Sequence, residues 1–142
     1  MIRCIVAATD DSPTARVAVG HAVDLARGLG ARLHLVGASR RLPAWVVAEM
    51  GATAAAAEAL AEAECELRES LDGAAAGLRG GGLRVSSHVA CGEPAEVIVS
   101  LAREVGADLI VVGNRGVRRL IGSVPRQVSR RAPCSVLIVP TA

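Results

Sequence analysis

The chain of 142 residues contains no lysine, tyrosine or phenylalanine, and Trp45 is its one tryptophan. All sixteen basic residues are therefore arginines. A phosphate-binding P-loop needs a Gly-Lys-Ser/Thr core and Schiff-base catalysis needs a lysine amine, so the absence of lysine excludes both. Proteins that bind single-stranded nucleic acid stack its bases on aromatic side chains. The lack of such side chains predicts that nucleic acid is not a partner.

Long apolar runs and paired cysteines are also missing. No run approaches the roughly 18 residues that indicate a membrane-spanning helix. The first residues lack the apolar stretch and cleavage site of a signal peptide, so we expect a soluble, cytoplasmic protein that does not bind a membrane. The four cysteines form no CxxC pair and have no histidine at metal-ligand spacing, which predicts reduced thiols, no disulfide framework and no metal site.

The chain does contain a regular alternation of strand and helix patterns. Apolar residues make up 51% of it, and its length suits one domain over residues 1–142. Apolar runs predict strands at residues 2–9, 33–38, 85–89, 108–112 and 135–139. Helical periodicity predicts helices at residues 13–29 and 53–78, from Pro94 to just before Gly106, and at about 123–131. This alternation predicts a single doubly wound, five-stranded parallel sheet with helices on both faces.

A glycine loop joins the fourth strand to the last helix. Gly113 and Gly116 follow the strand, and Gly122 and Ser123 precede a helix with Pro125 near its start. Glycines allow a ligand close to the backbone, and the free N–H groups of a helix N-terminus bind anions. The loop therefore suits a phosphate. The same residues also fit a simpler hypothesis, in which the glycines turn the chain and Ser123 caps the helix.

Charge is distributed unevenly along the chain. The net charge is +2, but the segment after Asp108 has six arginines and no acidic residue, whereas the preceding part carries −4. Positive potential around the glycine loop favours an anionic ligand. For Arg130 and Arg131, a solvated face at a helix C-terminus explains the charge equally well.

Acidic residues follow the first strand. In open parallel sheets, ligands bind beyond the carboxyl ends of the strands, where the strand order reverses. If the first and fourth strands are neighbours, Asp10 could bind ribose hydroxyls or an adenine amino group opposite the glycine loop. For Asp11, helix capping is the favoured role. An acidic pair here is also typical of response-regulator receivers, but those need an acceptor aspartate after the third strand and a lysine after the fifth, whereas here Cys91-Gly92-Glu93 follows the third strand and the chain has no lysine.

Four segments of the chain resemble the universal stress protein family. Residues 5–12 resemble its opening strand, which ends in Asp, a variable residue and Ser. Gly92-Glu93-Pro94-Ala95 is similar to its entry to the third helix. Residues 106–113 resemble its most recognisable strand, and residues 132–139 its final strand. Their order along the chain is that of the family, so the resemblance covers essentially the whole sequence.

The resemblance implies a Rossmann-like fold with strand order 3-2-1-4-5, a homodimer formed through the last strand from Ser135 to Val139, and a bound adenine nucleotide. That nucleotide is ATP, AMP or cyclic AMP, with Mg²⁺ as an accompanying ion for ATP. Asp10 would contact the adenosine, the backbone at Gly37 and Ala38 the adenine edge, and Val112 and Gly113 the ribose. The implied binding residues are Ala8, Asp10, Gly37, Ala38, Val112, Gly113, Arg115, Gly116, Gly122, Ser123 and Val124.

One departure from the family pattern affects the phosphate end of this site. The nucleotide-binding branch has nine residues between its second and third motif glycines, whereas five separate Gly116 from Gly122. Five residues still span a phosphate chain. Arg118 and Arg119 within the loop could supply charge-assisted contacts. Alternatively, they point to solvent, and the site takes a shorter nucleotide or none.

The sequence is therefore consistent with three functions. The first is nucleotide binding in stress response or regulation with little or no turnover. The second is a dimeric interaction module with an empty pocket, whose protein partners the sequence does not name. The third is slow ATP hydrolysis or autophosphorylation with Ser123 and Asp10 as participants. The three histidines, His21, His34 and His88, have no evident partner in the pattern, so we assign no catalytic residue.

Overall fold

Strands and helices alternate along the chain, as the apolar pattern predicts. The computed structural model describes residues 1–39, 45, 48, 49, 54–114 and 123–141. The strands are β1 (Cys4–Ala8), β2 (Arg32–Ser39), β3 (Val85–Cys91), β4 (Leu109–Asn114) and β5 (Ser135–Pro140). The helices are α1 (Pro13–Leu29), α2 (Ala54–Gly80), α3 (Pro94–Val105) and α4 (Val124–Arg131).

The five strands form one parallel sheet in the order β3-β2-β1-β4-β5. This order confirms the expected fold, and it places β1 beside β4 at the point where the chain reverses direction across the sheet. Strand β3, which contains two serines and a histidine, lies at one edge, and β5 lies at the other.

Two apolar layers cover the sheet. On one face, Ile5 and Ala7 of β1 pack with buried residues of α1 and α2. On the other, Val6 and Ile110 pack with α3 and α4. Because adjacent strand residues point to opposite faces, continuous apolar runs are buried on both sides. Complete burial of each Val, Leu or Ile side chain contributes about 1.5–3 kcal/mol, which lets a core without Phe or Tyr hold the fold.

Side chains bond to backbone N–H groups at the ends of two elements, and the start of β4 differs from the sequence prediction. Asp108 is not part of β4; its Oδ2 accepts hydrogen bonds from the backbone N–H groups of Arg3 (2.8 Å) and Cys4 (3.0 Å). At α1 the N-cap is Ser12, whose Oγ accepts a 3.2 Å bond from Ala15 N. The helix ends at Gly30 with φ of 67°, the left-handed conformation that glycine adopts readily. Within the described ranges, no helix is long and apolar enough to cross a membrane.

Candidate functional site

The carboxyl edge of the sheet contains a notch because β1 is shorter than its neighbours. Pairing of β1 ends at Ala8↔Val36 with β2 and at Ala7↔Val111 with β4. The neighbours β2 and β4 each continue for three more residues. In β2 these residues pair only with β3, and in β4 they pair only with β5. The notch is defined by residues 9–12 at its floor, residues 37–39 on one wall and residues 112–114 on the other. It lies at the strand-order reversal, where ligands of open parallel sheets bind.

Hydrogen bonds shape the floor of the notch. Asp10 Oδ1 accepts a 3.0 Å bond from Ser12 N, and Thr9 Oγ1 accepts a 3.0 Å bond from Asp11 N. Asp11 adopts a left-handed φ of 63°, and its Oδ1 lies 3.5 Å from Nη2 of Arg16. Asp11 is therefore paired beside α1 instead of capping it. The bond to Ser12 orients the Asp10 carboxylate at the floor, and a carboxylate has about four acceptor sites in all.

Four of the predicted binding residues share one face of the sheet. Val112 is buried in the layer beneath α3 and α4, and Ala8, Ala38 and Val124 pack against that layer while partly buried. The structure therefore brings together residues from β1, β2, β4 and the start of α4. Their side chains are small and apolar, which suits the flat face of a base or sugar better than a charged group.

The two predicted glycines of the walls face the opposite layer, where α1 and α2 pack against the sheet. A Cβ on Gly37 would lie 3.0 Å from Cδ2 of Leu67 in α2. A Cβ on Gly113 would lie 3.4 Å from Cβ of Ala18 in α1. Packing thus explains the absence of a side chain at Gly37, whereas a Cβ on Gly113 would make ordinary van der Waals contact. Their predicted backbone contacts with adenine and ribose remain predictions.

Thr141 is a supporting residue that the sequence analysis missed. It is buried, and its Oγ1 donates a hydrogen bond to the backbone O of Asn114, which also accepts a 3.3 Å bond from Thr141 N. These bonds hold the last carbonyl of β4 where the chain leaves the sheet. A polar, β-branched residue directly after an apolar strand is the signal that could have indicated it.

The phosphate end of the predicted site is described only in part. Ser123 is the N-cap of α4, with φ of −69° and ψ of 152°, but its side chain does not make the capping hydrogen bond. The helix N-terminus at Val124 provides backbone N–H groups that lack intrahelical acceptors. Arg115, Gly116 and Gly122 lie outside the described residues, as do Arg118 and Arg119. The expectation of a helix start at Ser123 is met to within one residue.

Arginines at the C-terminal end of α4 fit the hypothesis of a solvated basic face better than that of an anion-binding group. Arg131 Nη2 lies 3.8 Å from Oε1 of Glu96 in α3, and Arg103 donates to the Arg131 carbonyl. Arg130 and Arg131 occupy the last turn of α4, where the helix dipole favours cations. These two residues therefore need no ligand to explain them.

Two of the histidines contact one another, contrary to the expectation that they have no partner. Nδ1 of His34 on β2 lies 2.9 Å from Nε2 of His88 on β3. Burial lowers the pKa of His34, and the charges of His88 and Arg32 lower it further. The pair lies on the β3 side of the sheet, outside the notch. Among the residues described, no three His, Cys, Asp or Glu side chains are grouped so as to hold a metal ion.

Comparisons with known proteins identify a family model that spans nearly the whole chain and a relative that matches part of it. Residues 1–140 match the model of the Universal stress protein family. Universal stress protein Rv1636 of Mycobacterium tuberculosis strain H37Rv is 49% identical over 65 residues, and the match covers 43% of this chain and 44% of that relative. The alignment thus spans less than half of the relative's length.

Two solved structures share the fold and contain an adenine nucleotide. One is a universal stress protein in complex with cAMP, with a TM-score of 0.68, 29% identity and coverage of 99% of this chain and 98% of that one. The other is the universal stress protein from Archaeoglobus fulgidus in complex with dAMP, with a TM-score of 0.65, 26% identity and coverage of 98% of each chain.

Proposed function

The chain belongs to the universal stress protein family, and from that premise we propose that it binds an adenine nucleotide, ATP, AMP or cyclic AMP, in the notch. The observation that carries this proposal is the shortened β1, which leaves the oriented Asp10 carboxylate between the overhanging ends of β2 and β4. Relatives of the same fold hold cAMP and dAMP. Binding in the cytoplasm, as part of stress response or regulation, is the proposed role.

The floor, the two walls and the start of α4 each contact one part of the nucleotide. Asp10 accepts hydrogen bonds from ribose hydroxyls or from the adenine amino group, because a carboxylate pairs strongly with such donors. The backbone at Gly37 and Ala38 lies along the adenine edge, and Val112 and Gly113 flank the ribose. Arg115, Gly116, Gly122, Ser123 and Val124 form the phosphate end, together with Mg²⁺ when the ligand is ATP.

The chemistry available in the notch supports binding with little or no turnover. Phosphoryl transfer needs charge neutralisation by metal and an oriented nucleophile. The titratable side chains at the described floor are Asp10 and Asp11, and the second of these is paired with Arg16. His34 and His88 are bonded to each other on another part of the sheet. We therefore assign no catalytic residue.

We also propose that the domain forms a homodimer through β5. This strand is an edge of the sheet, and Ile138 on it is 39% exposed. An exposed strand edge offers unpaired backbone groups to a second copy, and apolar side chains add to such an interface.

Nucleotide binding is tested by two measurements on the intact protein. Denaturation of the purified protein should release adenine nucleotide into the supernatant, and calorimetric titration of the emptied protein with ATP, AMP and cyclic AMP should give saturable heat. Asp10→Asn should weaken binding about tenfold or more, because it removes a charged hydrogen-bond acceptor. The matched control is Asp24→Asn on the exposed side of α1. If none of the three nucleotides binds at millimolar concentration, the proposal is wrong and the interaction module becomes the better hypothesis.

A further inference from the structure

A second concavity lies at the opposite, amino end of the sheet. It has a volume of about 320 Å³, near the lower limit of about 300–1,000 Å³ for small-molecule sites. Its polar wall consists of Arg32 and His34 of β2, Arg79 of α2, and Arg84 and Ser86 at the start of β3. We call it the amino-end pocket. None of the described residues that are predicted to bind nucleotide lines it.

Backbone carbonyls hold two of its three guanidinium groups in place. Arg79 Nε donates a 2.7 Å hydrogen bond to the Val85 carbonyl, and Arg84 Nη2 donates a 2.9 Å bond to the Gly30 carbonyl. A guanidinium has five N–H donors, so each group keeps donors beyond the one used for anchoring. An anchored arginine loses less conformational entropy when it binds a ligand than a freely moving one.

The positive charge of the pocket is not neutralised within the described part of the chain. The ion pairs there involve Arg16, Arg68 and Arg131, and none involves an arginine of the amino-end pocket. Arg79 stands in the last turn of α2, where the helix dipole favours a cation. Arg32 and Arg84 lie on or beside strands, so the dipole does not explain them.

We propose that the amino-end pocket binds a small, free anion that carries phosphate groups, separately from the nucleotide in the notch. Three guanidinium groups match a ligand of at least two negative charges. Their planar forks bond phosphate oxygens in pairs, and the Ser86 hydroxyl adds a neutral donor. A single carboxylate would leave most of this charge without a partner. The site does not depend on the proposed nucleotide function, because it uses other residues at the other end of the strands.

His34 provides an internal reporter of this site. The charged groups around the His34–His88 pair are Arg32 on β2, Arg79 on α2 and Arg84 beside β3, while Glu96 and Glu104 of α3 line a groove with His88. An anion beside Arg32 offsets the positive charge that disfavours protonation of His34. Bound anion should therefore raise the pKa of His34 and change its ring resonances.

The test is titration of the full chain with pyrophosphate at constant ionic strength, followed by calorimetry and by NMR of the histidine rings. Pyrophosphate should bind with one-site saturation, shift the His34 signals and raise the pKa of His34. Sulfate, whose charge does not change at the pH values where histidine titrates, should raise the pKa of His34 by a smaller amount. Acetate should not change it. Arg79→Gln and Arg84→Gln should each weaken pyrophosphate binding at least about fivefold.

The matched control is Arg68→Gln, which removes a guanidinium from the same helix as Arg79 but from an ion pair with Glu64 outside the pocket. It should bind pyrophosphate like the unmodified protein. Ser123→Ala, at the phosphate end of the notch, should also leave pyrophosphate binding unchanged, which separates this site from the nucleotide site. The proposal is overturned if Arg79→Gln and Arg84→Gln bind pyrophosphate as well as Arg68→Gln does. It is also overturned if Ser123→Ala alone abolishes binding, or if the His34 signals do not move.

Discussion

The carboxylate of Asp108 accepts a 3.0 Å hydrogen bond from the backbone N–H of Cys4, 104 residues earlier in the chain. The same oxygen accepts a 2.8 Å bond from Arg3 N, and the Asp108 N–H donates a 2.9 Å bond to the Cys4 carbonyl. One residue thereby joins the amino ends of β1 and β4, the two strands on either side of the reversal in strand order.

This contact predicts a loss of stability in acid. The backbone hydrogen bond from Arg3 is the main cause that lowers the pKa of Asp108, and the bond from Cys4 lowers it further. The unfolded chain therefore takes up a proton at a higher pH than the folded chain does. The stabilisation is complete above the ordinary aspartate pKa of about 3.9 and is lost as pH falls toward the lower folded pKa.

Asp108→Asn should consequently lower the melting temperature at pH 7 and have a much smaller effect near pH 3. Thermal unfolding followed by circular dichroism at both pH values measures this difference. Asp24→Asn, which alters an exposed aspartate on α1, is the control. Equal losses of melting temperature at the two pH values would contradict the assignment.

The His34–His88 contact predicts a second pH dependence in a different range. The folded pKa of His34 lies below the ordinary histidine value of about 6.5, chiefly because of burial. The unfolded chain thus binds the proton more readily, and stability falls as pH drops through about 6.5 toward the folded pKa. Melting temperatures between pH 8 and pH 5.5 should show this decline.

Replacing the neighbour tests the cause of that decline. His88→Gln removes the second imidazole, whose charge lowers the pKa of His34, so the fall in stability between pH 8 and pH 5.5 should become smaller. His21→Gln changes an exposed histidine of α1 and should leave the slope unaltered. A slope that is unchanged in His88→Gln would show that the pair does not control it.

Replacing glycine by alanine should change the stability of the protein in opposite directions at two positions. A Cβ at Gly37 would approach Leu67 to 3.0 Å, whereas one at Gly73 in α2 would meet nothing within 4 Å. Gly37→Ala should therefore destabilise the protein by about 1–3 kcal/mol through overpacking. Gly73→Ala should stabilise it by about 0.5–1 kcal/mol, because alanine is the better helix former.

Urea unfolding of both variants measures these free energies. Leu67→Val in the Gly37→Ala background should recover part of the loss, because the shorter side chain lacks the Cδ2 methyl nearest the new Cβ. If Gly37→Ala is neutral while the strand pairing is intact, Leu67 moves aside freely, and the close-packing explanation for Gly37 is wrong.

The sequence predicts the elements and their order well, but it does not predict the notch. Alternating patterns indicate the parallel sheet, and the family resemblance adds the order that sets β1 beside β4. The notch depends on strand ends: β1 stops at Ala8, whereas β4 continues through Gly113 to Asn114. Backbone pairing extends through glycine and polar residues, so apolar content does not mark where a strand ends.

Contacts between distant residues were harder still to predict. His34 and His88 meet because Val36 pairs with His88, which places the two histidines diagonally on one face of neighbouring strands. A shift of one residue in this register would send one of the rings to the opposite face. The register follows from packing across the whole sheet, so a local sequence pattern does not predict it.

Thr141 gives the last prediction, which links stability to the proposed site. Its hydroxyl donates a hydrogen bond to the Asn114 carbonyl, while its Cγ2 lies 3.4 Å from the position of a Cβ on Gly113. Thr141→Val keeps the methyl contact and removes the hydroxyl, so a partly buried carbonyl loses one donor at a cost of about 1–2 kcal/mol. Thr141→Ser keeps the hydroxyl and should lose less stability.

If the end of β4 positions the glycine loop, Thr141→Val should also weaken adenine nucleotide binding several-fold, while Thr141→Ser binds nearly as well as the unmodified protein. Calorimetric titration below the melting temperature of both variants separates affinity from stability. Equal affinity in the two variants, despite lower stability in Thr141→Val, would mean that the wall of the notch tolerates movement at Asn114. The nucleotide would then depend on the floor at Asp10 for its position.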